Sequence, residues 1–523
     1  MRKAVRNNPQ LIPKSLTQQM AFPVKGWTSQ DSPVDAEPGT ALIMDNWFPE
    51  ADGGRLRRGY ASHATGMSSE VQTLMVYTSA SESKMFACAN GNVFDVSSAG
   101  AVGAAETGMT GLTNNKWQYT MFANASDQYL FCVNGADAPR HYNGTTWTQP
   151  SITGLTASTI SNVSAHKFRL WFCQNTTSDL WYLATNAISG AATKFSIGGL
   201  LKRGGYIMAT GTWSVDAGQG MDDLFVAWSS EGEVVIYSGT DPASANTWTL
   251  IGVYTTGEPL GRRCIFPVGG DLALITEDGV LAISELIKAD RAVASSKALT
   301  ARIRQSYVDA AQRAGSEFGW QMVSHPIRGM ALLNVPASTS FPIYQFAFNT
   351  VTGAWSRFVN MDAFCWAHFS DNLYFGAAAG VVYKADTGGQ DNGEAISASV
   401  LPAYTHLNAR GRLKHVKMVQ PIYSTDILAD APAVTIAVDY ELLTSIASEE
   451  VVTTGFFTWD VSEWDGPDIW YGFSVTADWR GTGNIGSVIS PYTSISLDAS
   501  GGASDFKYRL TGWGIVYELG GVL

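Results

Sequence analysis

The stretch DNWFPEADGGRLRRGY, Asp45 to Tyr60, gathers an aromatic pair, a proline, a Gly-Gly and three arginines into sixteen residues. It matches no catalytic or metal-binding pattern. The rest of the chain contains no GxSxG elbow, HExxH, P-loop or helix-opening GxGxxG. Seven histidines, at 63, 141, 166, 325, 368, 406 and 415, are scattered, with no second ligand at helical spacing. The five cysteines, at 88, 132, 173, 264 and 365, stand singly, as in YLFCV and LWFCQ, and read as buried thiols acting as small hydrophobes. Adjacent acids such as Asp222–Asp223 and Glu449–Glu450 point to opposite faces of a strand, so neither pair can work on one sugar. SGTDPASANTW, 238–248, is similar to the Asp-box turn of sialidases but departs from its spacing and occurs once. These residues name no cofactor and no metal, and the expectation is a binding or structural protein, not an enzyme.

The elements that position these residues are read from composition and rhythm. The chain has 523 residues, 45% hydrophobic, 11% aromatic and only 15% charged, with 52 glycines. That mix favours an all-β protein with many tight turns and a substantial core. Its net charge of −12 runs against a phosphate-gripping surface. The distribution is uneven. No acid precedes Asp31, whereas Arg2, Lys3, Arg6, Lys14 and Lys25 are basic, so the arm either contacts a polyanion or acidic partner or is a solvated terminus. The opening residues lack a signal-peptide h-region, and no run is long enough to span a bilayer, which predicts synthesis and folding in a cytoplasm.

From about 70 to 386 one sentence recurs: a strand, a turn with Gly, Asn or Asp, and a second strand. It is written at 84–100, 128–148, 168–185, 223–240, 271–286, 342–358 and 372–388. Most copies start roughly 40 to 55 residues apart, the period of propeller blades. Gly91, Gly232, Gly279 and Gly380 fall where the hairpins need positive φ. The pattern predicts a β-propeller of six or seven degenerate blades over 66–393. SSKALTARIRQSYVDAAQRAG, 295–315, interrupts it with an amphipathic stripe of Leu299, Ile303, Tyr307 and Ala311, an inserted helix capped by Ser295 or Ser296 and stopped at Gly315. After 394, longer alternating strands such as VTIAVDYELL, TGFFTWDVS and FKYRLTGWGIVYEL predict a C-terminal β-sandwich-like domain, 394–523. Residues 1–65 read as an extended arm and lead-in strand. In the basic cluster 409–418, Arg410, Arg412 and Lys414 alternate and would share one strand face, either solvated or against a partner.

The segment 41–67, ALIMDNWFPEADGGRLRRGYASHATGM, resembles the start of a group of phage and prophage tail proteins. QTLMVYTSASESKMFACANGNVFDV (72–96), RHYNGTTWT (140–148), FNTVTGAWSRF (348–358) and LYFGAAAGVVYKADTG (373–388) follow in the family's order, as does the ending 479–523. The resemblance covers nearly the whole chain and is specific at Asp45–Tyr60 and the C-terminus. The family is that of the tail nozzle, or tail tubular protein B, of short-tailed phages.

The resemblance implies a virion protein made in the bacterial host's cytoplasm. It implies a ring, usually hexameric, that continues the DNA channel below an adaptor or portal-proximal ring. Such a ring meets tail fibres or spikes, faces the host envelope at infection, retains the genome and passes double-stranded DNA without reading its sequence. It supplies no catalytic residue. On this reading Trp47 and Phe48 anchor an extended arm, Pro49 ends it, and Gly53–Gly54 turn the chain toward the first blade. Arg55, Arg57 and Arg58 pair with acids of the same or a neighbouring subunit. The result is an architectural clasp or a packed strand and turn within one domain. With Arg410, Arg412 and Lys414, these are the expected subunit or partner contacts; the lumen residues are not named by the sequence. The rival readings are a receptor- or carbohydrate-binding propeller and a propeller glycosidase.

Overall fold

The computed structural model describes residues 15–29, 32–216, 221–337, 341–427, 431–442, 474–476, 478–498 and 506–522. Arg2, Lys3, Arg6 and Lys14 of the basic arm, the Glu449–Glu450 pair and TGFFTWDVS lie outside them. The chain divides into two compact units: residues 1–58, 354–357 and 388–523, and residues 59–353 with 358–387.

The second unit is a β-propeller. Among the described residues it contains seven successive groups of antiparallel strands, five of them separate sheets. Blade one comprises Val71–Thr78, Ser83–Ala89 and Asn92–Asp95. Blade two runs from Gln118–Ala123 to Trp147–Thr148, blade three from Ile160–His166 to Thr193–Ser196, and blade four from Ile207–Asp216 to Trp248–Thr255. Blade five has Ile265–Val268, Asp271–Thr276 and Gly279–Ala282. Blade six has Gln321–His325, Met330–Val335 and Tyr344–Asn349. Blade seven takes Cys365–Phe369, Asn372–Gly376 and Val382–Ala385, and its fourth strand, Tyr60–Thr65, comes from the other end of the unit. Tyr60 pairs with Ala385 and Ala64 with Val382, which closes the ring with chain segments more than three hundred residues apart in sequence.

Six of the seven repeated hairpins of the sequence coincide with strands inside one blade; of the copy at 342–358 only Tyr344–Asn349 lies in blade six, and residues 354–357 belong to the first unit. The turn glycines serve as the pattern requires: Gly91 and Gly380 both have φ of +68°, and a Cβ on Gly380 would sit 2.0 Å from the Met67 carbonyl. The cores lie between neighbouring blades. Met75, Phe86 and Val93 of blade one pack with Leu130, Cys132 and Tyr142 of blade two, while Trp171 and Tyr182 of blade three pack with Phe225 and Tyr237 of blade four. All five cysteines are buried and free. Burial pushes the Cys173 thiol up to about 12 and that of Cys365 to about 11, which suits inert packing groups.

The inserted helix starts later than its stripe suggests, at Arg304, and ends at Ala314 with Gly315 at its C-cap. Ser295 and Ser296 end a preceding helix, Arg291–Ser296, instead of capping this one. Leu299 and Thr300 interrupt the helix because they serve blade five. The Leu299 N–H donates to the Val280 carbonyl (2.9 Å), and the Val280 N–H donates to Thr300 Oγ1 (3.1 Å). Tyr307, fully buried, anchors the helix by donating to the Thr276 carbonyl (2.5 Å). No helix among the described residues is long and apolar enough to cross a membrane.

The first unit is the β-sandwich-like one. One sheet runs Trp47–Glu50, Gly53–Leu56, Tyr508–Val522, Arg412–Thr425, with Leu16–Ala21 also pairing to Tyr508–Val522. The other contains Ala41–Asp45, Glu394–Pro402, Ile489–Leu497 and Ala433–Val438. Trp513 of the first sheet donates its indole N–H to Thr493 Oγ1 of the second (2.8 Å). The described N-terminal strands, from Leu16–Ala21 to Gly53–Leu56, are woven into this unit. Leu16 pairs with Tyr517, a contact across the whole chain that no local pattern encodes.

Candidate functional site

Asp45–Tyr60 is a framework. Asn46 takes a left-handed conformation (φ +60°) between two strands, which asparagine tolerates better than most residues, and the chain turns there from one sheet to the other. On one side of it Asp45 accepts from Arg357 Nε and Nη2 (2.7 and 2.8 Å). On the other, the Asn46 side chain accepts from Arg57 Nε (2.7 Å) and donates to the Ser397 carbonyl (2.7 Å). Arg57 is 2% exposed and forks onto Asp391 through both terminal nitrogens, at 2.7 and 2.6 Å. Burial pushes the Asp391 carboxyl up against the opposing pull of Arg57.

Trp47 and Phe48 are buried in their own chain. Trp47 meets Phe22 and Tyr508 at ring separations of 6.2 and 6.1 Å. Pro49 sits within the edge strand Trp47–Glu50, where the lack of an N–H costs little, and does not end it. Gly53 and Gly54 are strand residues; the turn falls at Ala51–Asp52, with Glu50 opposite Gly53. Gly54 is required by packing, since a Cβ there would lie 2.1 Å from the Phe22 ring. Arg55 bonds Glu50 (2.9 Å) and lies over the Phe48 ring, and the buried Arg58 donates to the Phe506 carbonyl (3.4 Å). The partners of these arginines are in the same chain.

Arg410, Arg412 and Lys414 differ in exposure. Arg410 precedes the strand in a turn; on the strand Arg412 is exposed and Lys414 is fully buried. Lys414 Nζ donates to the carbonyls of Ala409 (2.7 Å), Arg412 (2.9 Å) and Ser487 (2.5 Å). Burial lowers its pKa, and the three carbonyls give its ammonium the acceptors it needs.

A second constellation was not singled out in the sequence: Arg262–Arg263, in GRRC just before blade five. Arg263 donates to Thr73 Oγ1 (2.7 Å) of blade one, to the Trp117 carbonyl (3.1 Å) at the start of blade two and to Gln321 Oε1 (3.2 Å) of blade six. Arg262 donates to the Asn134 carbonyl (3.2 Å) beyond the second strand of blade two and to Asn175 Oδ1 (2.9 Å) beyond that of blade three. Only the middle of a ring is within reach of so many blades, so the pair closes the propeller's axis. It does so on the face where first strands begin. Phe318 completes the constellation, with the Arg263 guanidinium 4.7 Å and Lys116 Nζ 5.4 Å from its ring centre. The one sequence signal was two adjacent cations between a glycine and a buried cysteine in an apolar context.

Among the described residues no group of His, Cys, Asp or Glu is arranged to hold a metal. The acids Glu277 and Asp278, beside the inserted helix, are already paired with Arg291 at 2.8 and 2.6 Å.

No family model and no curated protein matches the sequence. Solved structures similar to the chain include a computationally designed protein, Ika8, with 11% identity over 62% of this chain and 99% of that one and a TM-score of 0.33. YCF48 bound to a D1 peptide has 10% identity, 68% and 99% coverage and a TM-score of 0.34. An exo-β-1,3-galactanase from Phanerochaete chrysosporium has 12% identity, 79% and 99% coverage and a TM-score of 0.25. Likenesses this distant carry no argument about activity.

Proposed function

We propose that the chain is a structural subunit of a short phage tail, a nozzle that forms a ring around the DNA path, retains the packaged genome and passes it at ejection. The observation that carries the reading is the use made of the Asp45–Tyr60 motif, the strongest point of resemblance to tail nozzles. Asp45, Asn46, Glu50, Arg55 and Arg57 bond within their own chain, and the charged groups are framework. The axial arginines add a constraint. Because Arg262 and Arg263 cross the propeller's own axis, duplex DNA cannot thread a single subunit. A conduit then has to be enclosed between subunits, which is what a ring does. A net charge of −12 per copy is compatible with a lumen that does not hold phosphates.

The test is immunogold labelling of particles from an infected or induced culture, with antibody raised to the native protein. Gold at the tip or shaft of a short tail is the expected result. Intact tailed particles without gold, despite antibody that binds the native protein, would sink the reading.

A further inference from the structure

We infer that Arg263 and Lys116, which meet at Phe318, together with the adjacent Arg262 form a receptor at the propeller's axis for a small multiply charged oxyanion, a phosphate or polycarboxylate. The reasoning begins with charge balance. Three half-buried arginines elsewhere in the propeller are ion-paired, Arg169 with Asp241, Arg291 with Asp278 and Arg328 with Asp386, while Arg140 donates to carbonyls with Asp137 acting on it electrostatically. The axial pair differs. Its acceptors are neutral, namely the Gln72, Trp117 and Asn134 carbonyls, Thr73 Oγ1, Gln321 Oε1 and Asn175 Oδ1. No carboxylate of the described residues bonds or biases either guanidinium. Two adjacent cations thus sit in a partly dry site with Lys116 approaching the same ring and no protein anion to offset them.

Donor geometry adds to the charge. The protein's acceptors are taken by terminal nitrogens, and the Nε–H of both arginines has no acceptor among the described residues. Neither arginine is sealed from solvent, and Lys116 is exposed. The bonds to Thr73, Asn134, Asn175 and Gln321 hold both guanidinium planes in place before any ligand arrives. A fixed fork of N–H donors suits the oxygens of phosphate or carboxylate far better than a single-atom anion such as chloride. The inference does not depend on the tail assignment.

The experiment is isothermal titration of the full-length protein with inorganic phosphate and, separately, citrate, at ionic strength held constant with sodium chloride. Saturable binding at one site per chain is expected for at least one of them. Arg262→Gln should weaken it by about tenfold or more, and Lys116→Gln by about threefold to tenfold, as loss of charge-assisted donors implies. Circular dichroism checks that each variant is folded. Should Arg262→Gln fail to fold, Lys116→Gln decides alone, because that side chain is exposed and, among the described residues, its ammonium forms no ion pair and meets only the Phe318 ring. Absence of saturable binding to both anions in the wild-type protein overturns the inference. Binding that is unchanged in Lys116→Gln does so too, since it would place the anion elsewhere.

Discussion

Arg57 shows how one buried charge organises its surroundings. Its guanidinium is held by Asp391 and Asn46, its own backbone N–H donates to the Asn46 carbonyl, and Asn46 in turn reaches Ser397. Such a pair adds little over a well-packed apolar replacement, but breaking it leaves a naked charge. Asp391→Asn is therefore expected to destabilise the chain by about 3–5 kcal/mol in urea unfolding, and the double change Arg57→Met with Asp391→Leu to recover most of that loss. Equal loss in the single and double variants would show that packing, not charge, governs the position. Lys414 behaves by the same logic with carbonyls in place of a carboxylate. Lys414→Met strands the Ala409, Arg412 and Ser487 oxygens and should cost about 1–3 kcal/mol in the same assay. Gly54 makes the complementary steric point. Gly54→Ala drives a methyl into Phe22, for a loss of about 1–3 kcal/mol that a second change, Phe22→Leu, should partly restore.

At the scale of elements, the propeller depends on one closure. Tyr60–Thr65 supplies the outer strand of blade seven, so the ring is shut by pairing, not by a covalent bond. Ala64→Pro places a ring at the buried residue of this strand, opposite Val382, and should cost about 3 kcal/mol or more. Hydrogen exchange locates the effect. Protection should fall first in Val382–Ala385 and Asn372–Gly376, while Arg304–Ala314 keeps its own. A uniform loss along the unit would mean that closure is not a separate step. The same strand marks the limit of what the sequence could reveal. Each hairpin was legible because both strands and the turn are local, and the turn residues state their φ. The closing strand was not, because its partner lies more than three hundred residues away and its YASHAT pattern alternates weakly. The Asp45–Tyr60 motif was visible as a motif, yet its meaning was not: Asp391, Arg357 and Phe22 are distant in sequence, and only folding brings them to Arg57, Asp45 and Gly54. The burial of Lys414 was not legible for a related reason, since the Ser487 carbonyl that receives its ammonium lies more than seventy residues away in sequence. Arg262–Arg263 lacked any repeat or spacing to mark them.

For the molecule as a whole, acid is the informative perturbation. Three propeller histidines have lowered pKa values because burial disfavours their charged form: His141, His368 and above all His166, held down to about 4. His166 is 3% exposed, with Nδ1 hydrogen-bonded to Thr212 Oγ1 (3.0 Å). Between pH 6.5 and 4 the unfolded chain binds a proton at this position and the folded chain does not. Stability from His166 is accordingly complete above pH 6.5 and is lost as pH falls toward 4, a decline of about 3 kcal/mol from this residue alone. Asp391 and Glu106 oppose it, because burial raises their pKa values and folding then favours their protonated forms. Carboxylates with lowered values, such as Asp179 and Asp223, act in the same direction as His166, but at lower pH. The wild-type Tm should therefore fall as pH drops from 7 to 4.5. In His166→Phe the same scan should show a shallower slope whatever its Tm at neutral pH. The slope is the deciding quantity, because a phenyl ring can alter packing without altering proton uptake. An unchanged slope would place the titration on other groups and leave His166 a packing residue alone.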